Sequence, residues 1–195
     1  GEVQNAFCAI RPPGHHAERE TAMGFCFFNN VVVAAQHALK GHGLSRVAVI
    51  DFDVHHGNGT EDCLRNNPQA LMVGMFQHPF YPYSGTENTA PNILNVPMPG
   101  GTSGEDFRQM VSDVWLPQLR KFKPEMLFIS AGFDAHYEDD LGGMKLKVKT
   151  FGMMGFDRYK QKYVGTACDS MTTDLRPFEG NFDATDKTLI LWGPM

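Results

Sequence analysis

The densest chemistry in the chain lies in Asp51-Phe52-Asp53-Val54-His55-His56-Gly57-Asn58-Gly59. This segment continues an apolar run, Val47-Ala48-Val49-Ile50. The pattern predicts a buried strand over Val47–Asp53, and side-chain alternation puts Asp51, Asp53 and His55 on one face. Three polar groups on one face of an apolar strand are expensive to bury without a partner. A divalent cation removes that cost, and Asp53 and His55 offer it one oxygen and one nitrogen. The plainer reading of the same residues is a polar strand end facing water, with Asp51 capping the next turn.

Ser130-Ala131-Gly132-Phe133-Asp134-Ala135-His136 follows a second apolar run, Met126–Ala131. Adjacent strands lie only about 4.8 Å apart, so Asp134 is within reach of Asp53 and His55 if the two runs pair. By itself Asp134 reads as a turn residue. Two aspartates and one histidine leave a fourth coordination position open, which is the pattern of catalytic rather than structural zinc. Iron(II) accepts the same donors. Arg11-Pro12-Pro13-Gly14-His15-His16-Ala17 marks a rigid loop presenting adjacent histidines. A histidine beside a metal-bound water can act as general base, because its ordinary pKa lies near neutrality. Alone, the same pair reads equally well as two surface histidines.

The elements that must hold these residues form an alternating pattern. Leu71–Phe76 and Ile93–Val96 are further strand candidates. A helix is expected over Val31–Lys40, capped by Asn30 and stopped by Gly41 and Gly43. A second should start at Ser103, where Ser103-Gly104-Glu105-Asp106 resembles a capping box with Asp in place of Glu. Phe107, Met110, Val111, Val114 and Trp115 continue it as an apolar stripe, and Pro117 is expected to kink it or end its first part. Strands alternating with helices imply an α/β fold with a mainly parallel sheet, in which sites gather beyond the carboxyl ends of the strands.

At 195 residues the chain fits one domain better than two. A formal net charge of −5 argues against general affinity for nucleic acid. The apolar runs are far too short to cross a bilayer, and no signal peptide is expected before them. Cys8, Cys26, Cys63 and Cys168 form no disulfide-like spacing, so a reducing, intracellular compartment is expected: the cytoplasm, or the nucleus in a eukaryote. The opening at Gly1, close to a dense motif, suggests a fragment.

Taken in order, RPPGHHA, GFCFFN, DFDVHHGNGT and SAGFDAH resemble the histone deacetylase family, whose fold is shared with arginase. The resemblance covers about Ala6 to Leu146. HHGNGT, with Asn58 rather than Asp, resembles the class II branch and its bacterial relatives, and Phe76–Gly85 leans toward the bacterial side. The fold implied is a three-layer arginase/deacetylase-like α/β fold with a mainly parallel sheet, incomplete at the N-terminus and at the C-terminus. Residues 1–146 would be a partial deacetylase catalytic domain and 147–195 a segment without recognised kinship.

The resemblance further implies that Asp53, His55 and Asp134 ligate zinc. His16 would be the base that activates water, oriented through Asn58, and His15 its electrostatic partner, hydrogen-bonded to Asp51. Gly24, Phe25 and Tyr81 would line a narrow slot for an acetyl-lysine side chain, although core packing suits Phe25, Phe27 and Phe28 and is expected for at least one of them. A structural potassium ion is expected near the strand carrying Asp51. The reaction implied is metal-assisted hydrolysis of an acetyl-amide. Its substrate would be a protein or peptide acetyl-lysine or, as the alternative, an acetylated small amine such as an acetylpolyamine. An arginase-type ureohydrolase is disfavoured, because it needs further carboxylates for a second metal.

The chain also departs from the family pattern. Family members stabilise the oxyanion with a Tyr in a Gly-Gly-Tyr segment, which this sequence lacks; Tyr159 and Tyr163 sit in other contexts. The resemblance stops after Gly142-Gly143-Met144-Lys145-Leu146, and the tail shows little periodicity apart from a candidate strand at Thr188–Trp192. The family's strands before RPPGHHA are also expected to be missing, leaving sheet edges and apolar faces exposed. A catalytically silent, truncated metal-binding chain is therefore a second expectation beside the hydrolase.

Overall fold

A computed structural model describes residues 6–146 with their side chains and four later strands as backbone. The chain divides into two compact units, Arg11–Lys147 and a second made of Gly1–Ile10 with Val148–Met195.

The larger unit is built on a four-stranded parallel sheet of β1 (Val47–Asp51), β2 (Ala70–Gln77), β3 (Ile93–Met98) and β4 (Met126–Ser130), in the order β3-β2-β1-β4. Alternation along the strands divides the core into two layers. Val47, Val49, Ala70, Met72 and Ile93 pack with Val32, Ala35, Ala38 and Leu39 of α1 (Asn30–Gly41) and Leu64 of α2 (Asn58–Leu64). Ala48, Leu71, Val73 and Met75 pack with Met110, Trp115, Ala135, Met144 and Leu146. Both faces of β1 and β2 are thus covered, which explains their unbroken apolar runs. Edge strand β4 leaves Met126, Leu127 and Ile129 exposed.

The first strand is shorter than expected. It ends at Asp51, so Asp53 and His55 do not stand on the strand face beside it. Asp51 Oδ1 accepts from the Asp53 backbone N–H at 3.2 Å, and Asp53 Oδ1 accepts from the His55 N–H at 2.8 Å. Side-chain oxygens that bond the backbone two residues on compete with the ladder, and here they turn the chain out of it.

The first helix begins one residue earlier than expected. Its cap is Asn29, which accepts from the Val32 N–H at 3.2 Å, while Asn30 donates to Pro12 O at 3.0 Å. The Ser103–Asp106 capping box is present at the start of α3 (Gly104–Met110). Pro117 does not end the helix. The turn before it, Val111–Trp115, is wound as π-helix, with Leu116 N–H reaching Val111 O, before α4 (Leu116–Phe122) resumes. A wider turn accommodates the N–H that proline lacks.

In the second unit β5 (Phe151–Asp157), β6 (Lys162–Cys168), β7 (Arg176–Asp183) and β8 (Thr188–Trp192) form a consecutive antiparallel sheet. The strand expected at Thr188–Trp192 is β8. Glycines at 152, 155, 165 and 180 interrupt the alternation by which β5, β6 and β7 would have been visible in the sequence. Tyr163 lies on β6, and Tyr159 lies outside the described residues.

Asn92 locks α2 to the sheet. Its Nδ2 donates to Leu64 O and Ala70 O, both at 2.8 Å, and to Asn67 O, while its Oδ1 accepts from Asn66 N–H. Replacement by Ala strips several buried carbonyls of their donor. Asn92→Ala should cost about 2–4 kcal/mol in urea unfolding, and a loss below about 1 kcal/mol would show that water replaces the amide.

Candidate metal centre

Two neighbouring strands, β1 and β4, bring the donors together. Register pairs Asp51 of β1 with Ser130 of β4, so the loops leaving both strands emerge side by side. Asp134 Oδ1 accepts from the Val54 N–H at 2.9 Å and ties one loop to the other. Val54 O in turn accepts from the Gln77 N–H at the end of β2. Asp53, His55 and Asp134 each offer one ligand atom, and these atoms lie within 4.8 Å of one another. His55 Nδ1 stands 2.9 Å from Asp53 Oδ1 and 3.0 Å from Asp134 Oδ2. Two carboxylates converging on one imidazole nitrogen, all largely buried, match the oxygen and nitrogen donors of a divalent cation site.

The electrostatics show what the site needs. Burial pushes His55 down, but the hydrogen bonds and charges of Asp134 and Asp53 overcome it and raise its pKa to about 10. Asp53 is driven up by burial yet ends below the usual carboxylate range, held there chiefly by His15 and His55. Asp134 ends above its usual value, because burial there outweighs its bond from His55.

Two histidines stand beside this cluster with unlike partners. His15 Nδ1 donates to Asp51 Oδ2 at 2.9 Å, and its Nε2 lies 3.8 Å from Asp53 Oδ2. Burial lowers its pKa, the surrounding carboxylates raise it more, and the result is about 9. His16 Nδ1 meets Asn58 Oδ1 at 2.8 Å. Burial, reinforced by the neighbouring His15, lowers its pKa to about 4. At neutral pH His15 is therefore cationic and His16 neutral. The rings lie 4.0 Å apart between centroids.

The His15–Ala17 loop is seated on the start of α2. Thr60 N–H donates to His15 O at 3.1 Å, and Asn29 Nδ2 bonds both Ala17 O and Thr60 Oγ1. Gly59 permits this close approach, since a Cβ there would lie 2.3 Å from Ala17 O.

Of the residues expected to line a slot, Tyr81 packs edge-on against His16 and His55, with centroids 5.2 and 6.2 Å away. Gly24, at φ +56°, abuts the His16 ring, where any Cβ would collide at 2.2 Å. Phe25 (φ +63°), Phe27 and Phe28 are 91%, 69% and 75% exposed, so none is a core residue, contrary to expectation. Cys26 is the buried member of that segment, its thiol donating to Gly24 O at 3.2 Å, which turns its aromatic neighbours outward.

Other partners escaped sequence reading. Phe80 stacks on His55 with centroids 5.0 Å apart and fixes its ring plane. His56 bridges Ser84 Oγ and Glu61 Oε2 at 2.8 and 2.9 Å, pinning the loop that carries Phe80 and Tyr81. Burial opposes ionisation of Glu61, but bonds from His56, Thr89 and Asn95 hold its pKa at about 2. Glu18 Oε1 accepts from Asn58 Nδ2 at 2.7 Å. Only spatial neighbourhood marks these residues, apart from the place of His56 in HHGNGT.

The fold and cluster define a parallel-sheet α/β domain with a carboxylate–histidine group beyond its strand ends that could hold a metal ion. A sequence model of the histone deacetylase domain matches residues 1–165, and the chain belongs to that family. Histone deacetylase 10, chloroplastic, of Oryza sativa subsp. japonica is 43% identical over 154 residues, covering 76% of this chain and 35% of the relative. The histone deacetylase-like amidohydrolase of Pseudomonas aeruginosa is 40% identical over 161 residues, covering 79% and 42%. The crystal structure of the HDA15 HD domain superposes with a TM-score of 0.71 at 39% identity, over 74% of this chain and 45% of that one. The chain thus shares the deacetylase-type α/β fold and spans less than half the length of each of these relatives.

To ligate a metal through Nδ1, His55 must lose the proton it shares with the two carboxylates. Metal titration at pH 7 should therefore release about one proton per ion, read by calorimetry in buffers of different ionisation enthalpy. Uptake without proton release would contradict this account of the cluster.

Proposed function

We propose that this chain carries the catalytic centre of a zinc-dependent amidohydrolase that removes acetyl groups from lysine side chains of proteins or peptides. The observation carrying the reading is the convergence of Asp53, His55 and Asp134 beside two adjacent histidines, His15 bonded to the Asp51 carboxylate and His16 to the Asn58 amide. Zinc bound to those three donors would supply Lewis-acid polarisation and an acidified water; iron(II) suits the same donors. A structural potassium ion near the Asp51 strand belongs to the same reading.

The chain's own residues account for the proton movements. His16 accepts the proton of the attacking water at Nε2, because its Nδ1–H is committed to Asn58. The imidazolium then returns that proton to the departing lysine amine. His15, kept charged by Asp51, places positive charge where the tetrahedral oxyanion develops. Phe25 and Tyr81 supply aromatic surface for the aliphatic stem of the lysine, with Gly24 leaving room beside His16.

Relatives named as deacetylases and as an amidohydrolase support amide hydrolysis by this site. The net charge of −5 favours a protein or small-amine substrate over direct nucleic-acid binding. Among the described residues no helix is long and apolar enough to cross a membrane; the cysteines, without disulfide-like spacing, support an intracellular location. A second reading is a chain that holds the metal without turning over. It is favoured by the sequence having no Gly-Gly-Tyr segment, since losing one oxyanion donor costs about 10²–10³ in rate.

The test is turnover of a fluorogenic acetyl-lysine peptide beside acetylspermidine. Chelator should abolish it, zinc should restore it, and His16→Ala should lower kcat by about 10²–10⁴. Because His16 is held below its ordinary pKa, the acidic limb of the kcat/KM profile should fall below about pH 6.5. Faster acetylspermidine turnover would move the substrate to small amines, and a soluble, zinc-loaded, inactive chain would establish the silent reading.

A further inference from the structure

The Asn58 amide can face His16 in two ways with opposite consequences. With Oδ1 toward the ring, His16 carries its proton on Nδ1 and keeps Nε2 as a base. With Nδ2 toward the ring, the proton moves to Nε2 and the base is lost. Nothing in the His16–Asn58 contact itself chooses between them, since either arrangement makes one hydrogen bond.

The choice is made on the far side of the amide. Asn58 Nδ2 donates to Glu18 Oε1 at 2.7 Å. Its other acceptors are weak: the Met23 thioether at 3.2 Å and His16 O at 3.5 Å. A carboxylate accepts and does not donate, so a turned amide would set its Oδ1 against Glu18 and lose the strongest bond of the group. Glu18 is held in register with α2, the helix that begins at Asn58. The next residue, Arg19, donates through its backbone N–H to Asp62 Oδ2 and through Nε to Asp62 O, at 3.1 and 3.0 Å, and Glu18 N–H itself bonds Thr21 O. Glu18 and Asn58 also line one cavity of about 320 Å³.

We propose that Glu18 sets the tautomer of His16 through Asn58, a positioning residue for the base; this rests on the reading of His16 as general base. Its carboxylate fixes the amide, the amide fixes Nδ1–H, and Nε2 is left free to take a proton. A wrong tautomer of a catalytic histidine can cost about 10⁴ in kcat. Removing Glu18 leaves the amide free to sample both orientations and should cost less.

The experiment is a two-bond ¹H–¹⁵N correlation spectrum of the zinc-loaded protein with ¹⁵N-labelled histidines, joined to steady-state kinetics. Wild type should show His16 protonated at Nδ1. Glu18→Ala should add the Nε2–H form and lower kcat about 10- to 100-fold with KM within about twofold. Glu18→Gln, whose side-chain oxygen still accepts, should keep Nδ1–H and most of the rate. Glu18→Lys places donors at that position and should drive His16 wholly to Nε2–H. If one variant fails to fold, the others decide the point. Retention of Nδ1–H in the Ala or Lys variant, or a Gln variant as impaired as Ala, overturns the proposal. The spectrum needs no turnover, so an inactive chain with the expected spectra contradicts the functional reading while upholding this one.

Discussion

Asp53 and Asp134 are brought within 3.0 Å of one imidazole nitrogen, at the ends of two neighbouring parallel strands and largely out of water. Desolvating two carboxylates in one place costs several kcal/mol per ion unless positive charge meets them. The rest of the larger unit is arranged around that requirement. The β1–β4 register sets the two loops side by side, the Asx turns at Asp51 and Asp53 aim the first loop, and the Val54–Asp134 bond closes one on the other. The buried faces of β1 and β2 pack the platform from which the first loop leaves.

A second constraint follows from placing two histidines beside that charge. Identical side chains at adjacent positions are shifted in opposite directions: the surrounding carboxylates raise His15 against burial, while burial and the neighbouring His15 lower His16. The asymmetry is built in layers. Asp51 holds the charge on His15, Asn58 offers His16 a bond without charge, and Glu18 orients Asn58. Gly24 and Gly59 provide the space in which the two rings and their loop can lie.

Much of this was visible in the residues themselves. The alternation of apolar runs with amphipathic stretches predicted the parallel α/β layers, and the Ser103–Asp106 box marked its helix to the residue. Asp53, His55 and Asp134 were recognisable because metal-capable groups directly follow apolar runs. The end of β1 was misplaced because side-chain oxygens took over the backbone bonds, a competition that strand propensity does not register. The exposure of Phe25, Phe27 and Phe28 depends on Cys26 turning inward, which aromatic composition conceals. Phe80 reaches His55 across 25 residues of sequence, and Glu18 reaches Asn58 across 40. Such partners carry no local pattern. The β5–β7 strands were hidden by glycines that break their alternation.

The central claim is that Asp53, His55 and Asp134 together hold one divalent ion. X-ray absorption spectroscopy on the protein loaded with one equivalent of zinc tests this directly, with the Asp134→Asn chain alongside. The account predicts a first shell of oxygen and nitrogen donors that includes one imidazole and no sulfur, and weakened or lost binding in the variant. A shell containing cysteine sulfur, or unchanged binding after the substitution, would place the metal elsewhere and contradict the account.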